Sequence, residues 1–366
     1  MTTTTSRRAR WAAVTTAVLG TLIVSACSSN SSSSSSTPSG GSSSSSTNSS
    51  PSGTLNGSGS TFQTNFQQGA ISAFKSVDSG ITVNYGSGGS GKGRTDLAGG
   101  VVNFAGSDSP IPTTEKANFK GKTVLYFPVI IGPITMSYNL SGVSNLKLTP
   151  TVIADIFQGK ITSWNNSAIK AINPGASLPS TPITIAVRAD SSGTTQNFSL
   201  FLMDAAPSVW TLGSSSTIKW PSTAHAAQGN SGVAQVIKTT PGAIGYVDFS
   251  TAKATGLTFA SVKNKAGSYI APSAAAASAS AATATVAPDL TFHAVWGSSA
   301  TAYPITYQSW DLVYAKQPNA NDAALLKAYL GYLLGSGQSL LPSLFYAPLP
   351  ASIDSMAKAQ LSKITS

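Results

Sequence analysis

Outside its N-terminal segment the chain contains only two arginines, Arg94 and Arg188, and takes the rest of its positive charge from lysine. Arg188 opens the segment 188–195, Arg-Ala-Asp-Ser-Ser-Gly-Thr-Thr. The planar guanidinium binds a planar or tetrahedral oxyanion through two parallel hydrogen bonds, a geometry that lysine does not supply. Short hydroxyl residues around Gly193 are typical of a helix start, where free backbone N–H groups also attract anions. We therefore predict that this segment binds an oxyanion.

Asp190 lies two residues after Arg188, and its carboxylate has two interpretations. It can hold the guanidinium of Arg188 in place for a ligand. Alternatively, the two side chains form a solvent-exposed ion pair, which stabilises a protein little.

Two glycine-rich loops have the same pattern, a strand-like run followed by Gly or Ser and a helix-like start. In 57–62, Gly-Ser-Gly-Ser-Thr-Phe, glycine lets the backbone approach a ligand, and Thr61 either caps the next helix or donates its hydroxyl. A plain strand-to-helix turn is the alternative. The loop 86–94 resembles a nucleotide P-loop, but Gly93 stands where Mg²⁺ binding requires Ser or Thr. We interpret that loop as a group of backbone N–H donors for a smaller anion.

Another loop, 106–110, places the carboxylate of Asp108 beside the predicted anion site. Phosphate at neutral pH carries P–OH groups, whose proton a carboxylate accepts, whereas fully ionised sulfate has no proton to give. An unpaired buried polar group costs about 1–3 kcal/mol, so Asp108 would select a protonated ion and reject sulfate. The alternative interpretation is that Asp108 caps a helix.

The composition excludes several classes of site. Cys27 is the only cysteine, and His225 and His293 are the only histidines, so neither an intramolecular disulfide nor a Cys- or His-rich zinc site can form. Glu115 is the only glutamate, which excludes a pair of catalytic glutamates. The formal charge is +10, but the lysines are scattered and form no basic stripe with interleaved aromatics, so nucleic acid is not an expected partner.

Residues 1–26 have the pattern of a signal peptide, a basic stretch followed by an apolar run too short for a membrane span. The run ends in Val-Ser-Ala-Cys, which resembles a bacterial lipobox in which Cys27 is lipidated, palmitate included. An ordinary signal peptide cut nearby is the alternative. Residues 27–53 are mostly serine after Cys27 and too poor in apolar side chains to fold, so they are predicted as a flexible tether. The predicted location is the extracytoplasmic face of the cell membrane.

Strand-like and helix-like patterns alternate from Leu55 onward, which predicts an α/β fold whose ligand binds beyond the carboxyl ends of strands. Strands are predicted at 81–85, 101–105, 124–131, 134–138 and 183–187. Helices are predicted at 62–74, 95–98, 149–158, 194–203 and 323–334. The Ala/Ser-rich stretch 271–287 is predicted as a poorly specified helix without a function.

The four loops, 57–62, 86–94, 106–110 and 188–195, together resemble those of the substrate-binding proteins of bacterial phosphate (Pst) ABC transporters. The resemblance covers nearly all of 55–351. Further matching stretches are 125–128 (Leu-Tyr-Phe-Pro), 156–164 (Ile-Phe-Gln-Gly-Lys-Ile-Thr-Ser-Trp), 172–175 (Ile-Asn-Pro-Gly), 218–221 (Ile-Lys-Trp-Pro), 241–247 (Pro-Gly-Ala-Ile-Gly-Tyr-Val) and 303–306 (Tyr-Pro-Ile-Thr). The resemblance implies a two-domain, hinged, type II periplasmic-binding-protein fold with the ligand cleft between the domains. Domain I would combine 54–131 with 306–366, and domain II would be 132–305.

The resemblance also implies the residues that contact phosphate and the partners. The contacts fall on Thr61 and Phe62 through the backbone, Ser90, Asp108, Arg188, Ser192, Gly193 and Thr194, with Asp190 supporting Arg188. The implied partners are inorganic phosphate and the permease subunits of an ABC transporter. The implied protein is a monomer without cofactor, metal or catalytic residues.

Two departures from the family pattern are mild. Asn103 stands where the family often has an acidic residue, and Lys92 adds a charge to a loop that usually has none. We expect Lys92 to face solvent.

Three other functions remain as alternatives. The first is binding of another oxyanion such as sulfate or molybdate, which Asp108 disfavours. The second is a secreted phosphatase or serine hydrolase, for which the sequence lacks a metal cluster and a Gly-x-Ser-x-Gly motif. The third is a purely adhesive surface lipoprotein.

Overall fold

The structure, a computed structural model, describes residues 51–366. The predicted signal peptide, the lipidation of Cys27 and nearly all of the predicted tether therefore lie outside the described residues. Gly53 already begins the first strand, so the tether prediction is wrong at its last residue.

The described part contains twelve strands, ten α-helices and three short 3₁₀ helices. The strands are β1 (Gly53–Gly59), β2 (Ile81–Ser87), β3 (Phe104–Ser107), β4 (Val124–Tyr138), β5 (Lys147–Leu148), β6 (Thr184–Arg188), β7 (His225–Ala227), β8 (Ala243–Asp248), β9 (Thr258–Phe259), β10 (Ser261–Lys263), β11 (Tyr269–Ile270) and β12 (Thr306–Tyr314). The α-helices are α1 (Thr64–Phe74), α2 (Ser90–Ala98), α3 (Pro150–Phe157), α4 (Ser167–Ile172), α5 (Gly193–Ala205), α6 (Gly229–Thr239), α7 (Phe249–Thr255), α8 (Ala274–Ala281), α9 (Ala320–Leu334) and α10 (Ala351–Gln360). The 3₁₀ helices are Thr113–Phe119, Ser336–Leu340 and Leu361–Lys363.

Nine strands form one mixed sheet, in the order β2-β1-β3-β12-β4-β8-β6-β7 with β9 also paired to β4. β1 is parallel to β2 and β3, and β6 is parallel to β7 and β8. β12 is antiparallel to both β3 and β4. Strands β11, β10 and β5 form a small second sheet. Helices alternate with the parallel strands, as the α/β prediction requires.

β4 joins the two parts of the large sheet. Nine of its first ten residues pair with β12, up to Pro133 opposite Thr306, with a register shift that leaves Val129 without a partner in β12. Its last five residues pair with β8, beginning with Ile134 opposite Asp248. The sequence predicted two strands separated at Gly132-Pro133, and this prediction is wrong. Proline has no N–H for a ladder hydrogen bond, but the strand exchanges one partner for the other at this point and continues.

Aromatic packing fixes the segments that follow β1 and β6. Phe62 is fully buried, stacks on Tyr307 with ring centroids 4.0 Å apart, and accepts a hydrogen bond at its carbonyl from the Tyr346 hydroxyl at 2.7 Å. In α5, Phe198 stacks on Tyr246 of β8 at 4.5 Å. Because aromatic side chains bury large apolar areas in defined geometries, these contacts hold the start of α1 and of α5 against the sheet.

Two predicted elements differ from the structure. The predicted buried strand 101–105 is wrong at its start, because Val101 is 70% exposed and β3 begins only at Phe104. The stretch 271–287 forms a helix over only eight residues, α8, capped by the Ser273 hydroxyl. Three of its alanines are buried, so α8 packs against the core through one face. None of the helices between residues 51 and 366 combines the length and hydrophobicity needed to cross a membrane.

Candidate functional site

Arg188 ends β6, and Gly193 begins α5 five residues later. The Ser192 hydroxyl accepts a hydrogen bond from Thr195 N at 3.1 Å and so caps the helix. The predicted helix 194–203 is therefore confirmed within two residues at each end. The N–H groups of the first turn of α5 lie next to the end of β6, where the predicted oxyanion segment begins.

Arg188 and Asp190 form a buried ion pair. Arg188 Nε donates to Asp190 Oδ1 at 2.8 Å, Nη2 donates to Oδ2, and the two side chains are 1% and 6% exposed. Asp190 Oδ1 also accepts from Gly229 N at 3.0 Å, at the start of α6. The alternative of a solvent-exposed pair is therefore wrong. Arg188 Nη1 makes only a long contact of 3.4 Å with Thr194 Oγ1, which leaves donor capacity on that nitrogen.

Asp108 follows β3 and is 1% exposed. Its Oδ1 accepts from the hydroxyls of Ser60 at 2.5 Å and Ser309 at 2.6 Å. Its Oδ2 accepts only a long contact from the Ser90 hydroxyl, at 3.4 Å. The donors to this carboxylate are side-chain hydroxyls and no helix N–H is among them, so the helix-cap interpretation is wrong.

Ser90 brings the two predicted segments together. Its Oγ accepts from Asp108 N at 3.1 Å and from Gly193 N at 3.2 Å. The contact requires glycine at 193, because a Cβ there would lie 2.5 Å from Ser90 Oγ and 2.6 Å from Asp108 Cβ. The loop around Ser90 is shorter than predicted, since α2 begins at Ser90 and residues 90–94 are helical.

Thr61 contacts Asn230 at the start of α6, and Phe62 contacts Ser60. Thr61 Oγ1 accepts from Asn230 Nδ2 at 3.1 Å and from Asn230 N at 3.3 Å. α1 begins at Thr64 without a side-chain cap, so the prediction that Thr61 caps this helix is wrong. Phe62 N donates to Ser60 Oγ at 3.1 Å.

The carboxyl groups around the site have raised pKa values. Burial raises the pKa of Asp108 to about 6, although the hydroxyls of Ser309 and Ser60 and the charge of Arg188 oppose this shift. Burial likewise raises the pKa of Asp248 to about 7, against the effects of Thr251 and Arg188. At neutral pH Asp108 is mainly ionised and acts as a hydrogen-bond acceptor.

Several buried polar atoms near these residues lack a hydrogen-bond partner. In the part of the chain that the structure describes, these atoms are Asn230 Oδ1, Asp248 Oδ2, Tyr307 Oη and, elsewhere, Asp354 Oδ1. Buried polar atoms nearly always have a protein or water partner. The atoms of Asn230, Asp248 and Tyr307 are therefore available to bond a ligand or water.

Sequence analysis missed four residues of this region, Asn230, Asp248, Tyr307 and Ser309. Asn230 follows a glycine at a helix start, the same signal that identified the other loops. Asp248 ends β8 and caps α7, and a capping aspartate has no signal that separates it from a site residue. Ser309 and Tyr307 are on β12, about 200 positions from Asp108, so only the sheet order reveals their proximity.

Arg94 and Lys92, from the predicted loop 86–94, do not join this cluster. Lys92 is 55% exposed and pairs with Asp96 at 2.6 Å, which confirms that it faces solvent. Arg94 is fully buried and donates to Glu115 at 2.6 and 3.0 Å. Residues 51–366 contain no group of His, Cys, Asp and Glu side chains arranged to hold a metal ion.

Comparison with known proteins identifies relatives of this chain. The model of the PBP superfamily domain matches residues 44–336. Phosphate-binding protein PstS 3 of Mycobacterium leprae is 36% identical over 312 residues, which cover 82% of this chain and 84% of the relative. Phosphate-binding protein PstS of Pasteurella multocida is 33% identical over 317 residues, 84% of this chain and 89% of the relative.

Solved structures share the fold. A high affinity periplasmic phosphate-binding protein (PfluDING) bound with phosphate has a TM-score of 0.70 at 22% identity and covers 84% of this chain and 93% of its own. A phosphate-binding protein from Stenotrophomonas maltophilia has a TM-score of 0.68 at 20% identity, and the match covers 84% of this chain and 94% of that protein. The predicted type II periplasmic-binding-protein fold is confirmed. The chain belongs to the PBP superfamily and, within it, to the PstS family of phosphate-binding proteins.

Proposed function

We propose that the protein binds inorganic phosphate outside the cytoplasm and delivers it to the permease of an ABC transporter. The observation that carries this proposal is the carboxylate of Asp108, whose Oδ2 has only a 3.4 Å contact inside the protein. An open acceptor beside a guanidinium and a helix start suits a protonated oxyanion. The names of the PstS relatives support the same ligand.

The proposed contacts are those of the sequence prediction. They are Thr61, Phe62, Ser90, Asp108, Arg188, Ser192, Gly193 and Thr194, with Asp190 orienting Arg188. Donors with spare capacity include Arg188 Nη1 and Thr194 N in the first turn of α5, whereas Gly193 N and Thr195 N already donate to Ser90 Oγ and Ser192 Oγ. These donors would bind the ionised oxygens, and Asp108 Oδ2 would accept the P–OH proton.

We also propose two hinged domains, 54–131 with 306–366, and 132–305. The exchange of partners within β4, at Pro133 and Ile134, supports this division. Contacts between the proposed domains include Gly193 N to Ser90 Oγ at 3.2 Å and Gly91 N to Ser191 O at 3.0 Å. A ligand that contacts both domains only when they are closed shifts the population toward the closed form.

The remaining predictions complete this proposal. The lipobox-like sequence supports lipidation of Cys27 and anchoring on the extracytoplasmic face of the membrane, with 28–52 as tether. We infer that the protein is a carrier without enzymatic activity, since its PstS relatives are named for binding. We also propose that it is a monomer. Incubation with a chromogenic phosphate ester tests the absence of phosphatase activity.

Titration calorimetry with phosphate and with sulfate tests the proposed ligand. We expect tight binding of phosphate and at least a hundredfold weaker binding of sulfate, because sulfate has no proton for Asp108. Equal affinity for both anions would remove the proton-reading role of Asp108, and absence of phosphate binding would refute the proposed function.

A further inference from the structure

A line of hydrogen bonds runs from Asp108 into the interior through residues that the proposed site does not use. Ser309 Oγ donates to Asp108 Oδ1 at 2.6 Å, and Gln63 Nε2 donates to Ser309 Oγ at 2.8 Å. Gln67 Nε2 in turn donates to Gln63 Oε1 at 3.0 Å. Ser309, Gln63 and Gln67 are all fully buried, so water does not compete for these bonds.

The carbonyl of Trp310 fixes the orientation of the Gln63 amide, because a carbonyl oxygen can only accept hydrogen bonds. Gln63 Nε2 also donates to this carbonyl, at 3.0 Å. A flipped amide would place Gln63 Oε1 against this carbonyl, two acceptors facing each other in the interior. Gln63 therefore offers an N–H to Ser309 and an oxygen to Gln67.

Gln67 is held in the matching orientation. Its Oε1 accepts from the Tyr329 hydroxyl at 2.6 Å, and its Nε2 lies 3.2 and 3.4 Å from the two carboxyl oxygens of Asp311. Gln67 Nε2 is therefore oriented to donate a hydrogen bond to Gln63 Oε1. Along this line each hydrogen bond is donated toward Asp108, from Gln67 to Gln63, from Gln63 to Ser309 and from Ser309 to Asp108.

The direction decides where the single hydroxyl proton of Ser309 goes. Since Gln63 donates to Ser309 Oγ, the serine uses its own proton on another acceptor, and Asp108 Oδ1 at 2.6 Å is closer than the carbonyl of Ser107 at 3.4 Å. Ser60 is placed the same way, with Phe62 N donating to it and its proton on Oδ1 at 2.5 Å. Two hydroxyl protons therefore occupy Oδ1, whereas Oδ2 has only the long 3.4 Å contact from the Ser90 hydroxyl and keeps acceptor capacity for a ligand.

We propose that Gln63 is a positioning residue for anion selectivity, which fixes the Ser309 hydroxyl so that Asp108 presents Oδ2 as an acceptor for the proton of the ligand. This inference rests on the proposed phosphate binding and deepens it. Gln63 itself does not touch the anion. Without it, the Ser309 hydroxyl is free to turn toward the Ser107 carbonyl, and the carboxyl of Asp108 loses one of the bonds that set its orientation and charge.

A double-mutant cycle with Gln63→Met and Ser309→Ala tests the proposal. We measure the ratio of phosphate to sulfate affinity by calorimetry in the full protein, its two single variants and the double variant. We expect each single variant to lower the ratio about tenfold or more. We expect Gln63→Met to have no further effect in the Ser309→Ala background, because residues that act through one another are not additive.

A control variant, Gln360→Met, separates an effect on anion selectivity from the general effect of losing a buried glutamine. Gln360 is 4% exposed and donates through Nε2 to the carbonyl of Tyr126 at 2.7 Å, so Gln360→Met removes a comparable bond far from Asp108 along the chain. We expect it to lower the melting temperature and leave the ratio unchanged. If Gln63→Met does not fold, Gln67→Met replaces it in the same cycle, with a smaller expected drop in the ratio.

The outcomes distinguish the two proposals. A wild-type protein that does not bind phosphate overturns the proposed function and this inference with it. A wild-type protein that prefers phosphate, together with an unchanged ratio in the glutamine variant or an additive effect with Ser309→Ala, overturns only the role of Gln63.

Discussion

Arg94 and Arg188 are both buried and both pair with a carboxylate through two nitrogens, yet only one has donors to spare. Arg94 Nη1 donates to the hydroxyls of Ser107 and Ser109, each at 3.2 Å, so its fork is occupied. Arg188 Nη1 has one contact, at 3.4 Å. The same residue type therefore holds the fold together at one position and remains available for a ligand at the other.

Replacing Arg188 tests its proposed contact with the anion. We expect Arg188→Ala to weaken phosphate binding at least tenfold, about 1.4 kcal/mol, because it removes the guanidinium and leaves Asp190 as an unpaired buried charge. Lys92→Ala is the control, since it removes one positive charge from an exposed site. Calorimetry should give the Lys92 variant nearly wild-type affinity, and wild-type affinity in the Arg188 variant would contradict the prediction.

Replacing Asp108 with asparagine changes the group that faces the ligand from a hydrogen-bond acceptor to a donor. In Asp108→Asn the hydroxyls of Ser60 and Ser309 still require an acceptor, so the amide oxygen takes the place of Oδ1 and the NH₂ group that of Oδ2. We expect phosphate to bind more weakly, sulfate more tightly, and their affinity ratio to fall at least tenfold. Calorimetry at pH 8 measures both affinities, and an unaltered ratio would show that Asp108 does not read the proton.

At the scale of elements, the start of α5 reaches Asp108 and Ser90 because residue 193 has no side chain. A Cβ at 193 would meet Ser90 Oγ at 2.5 Å. Gly193 is the first helical residue, where alanine is otherwise the better helix former, so the glycine serves the close contact.

Gly193→Ala should therefore weaken phosphate binding at least tenfold, because the added methyl group separates α5 from Ser90 and Asp108. The matched control is Gly331→Ala in α9, where a Cβ would meet only Leu361, at 3.8 Å. That change should stabilise the protein by about 0.5–1 kcal/mol and leave binding alone. Thermal unfolding and calorimetry on both variants measure the two effects, and equal behaviour of the two alanines would disprove the steric explanation.

The elements themselves follow local rules that sequence reasoning captures. Periodicity and caps predicted α5, α9 and β2 within a few residues. The same rules failed at β4, because whether a strand continues through Gly132-Pro133 depends on its neighbours in the sheet and not on its own residues. The loops that contain glycine, hydroxyl side chains and Arg188 could be predicted as site loops because these residues are neighbours in the sequence. Ser309 and Gln63 were missed because their proposed roles depend on a contact between positions 246 residues apart, which no local pattern encodes.

At the scale of the whole molecule, the described part buries three carboxyl groups with raised pKa values. Burial raises the pKa of Asp108 to about 6 and of Asp248 and Asp311 to about 7. In the unfolded chain each of these carboxyls has the ordinary aspartate pKa of about 3.9. Between these values the folded protein keeps protons that the unfolded chain has released. The three carboxyls therefore make folding less favourable as pH rises from about 4 to about 7.

Asp311 isolates this effect, because it is fully buried on β12 and makes no proposed contact with phosphate. Asp311→Asn removes the titration and keeps an acceptor for Gln67, so we expect the phosphate-free variant to lose less stability than wild type between pH 4 and pH 7. The difference should be on the order of a few kcal/mol, since each unit of pKa shift corresponds to about 1.4 kcal/mol. Denaturant unfolding at several pH values measures it, with Asp289→Asn as the control at an exposed carboxylate. Parallel curves for wild type and the Asp311 variant would mean that this carboxyl titrates alike in the folded and unfolded states, so its burial would not couple folding to pH.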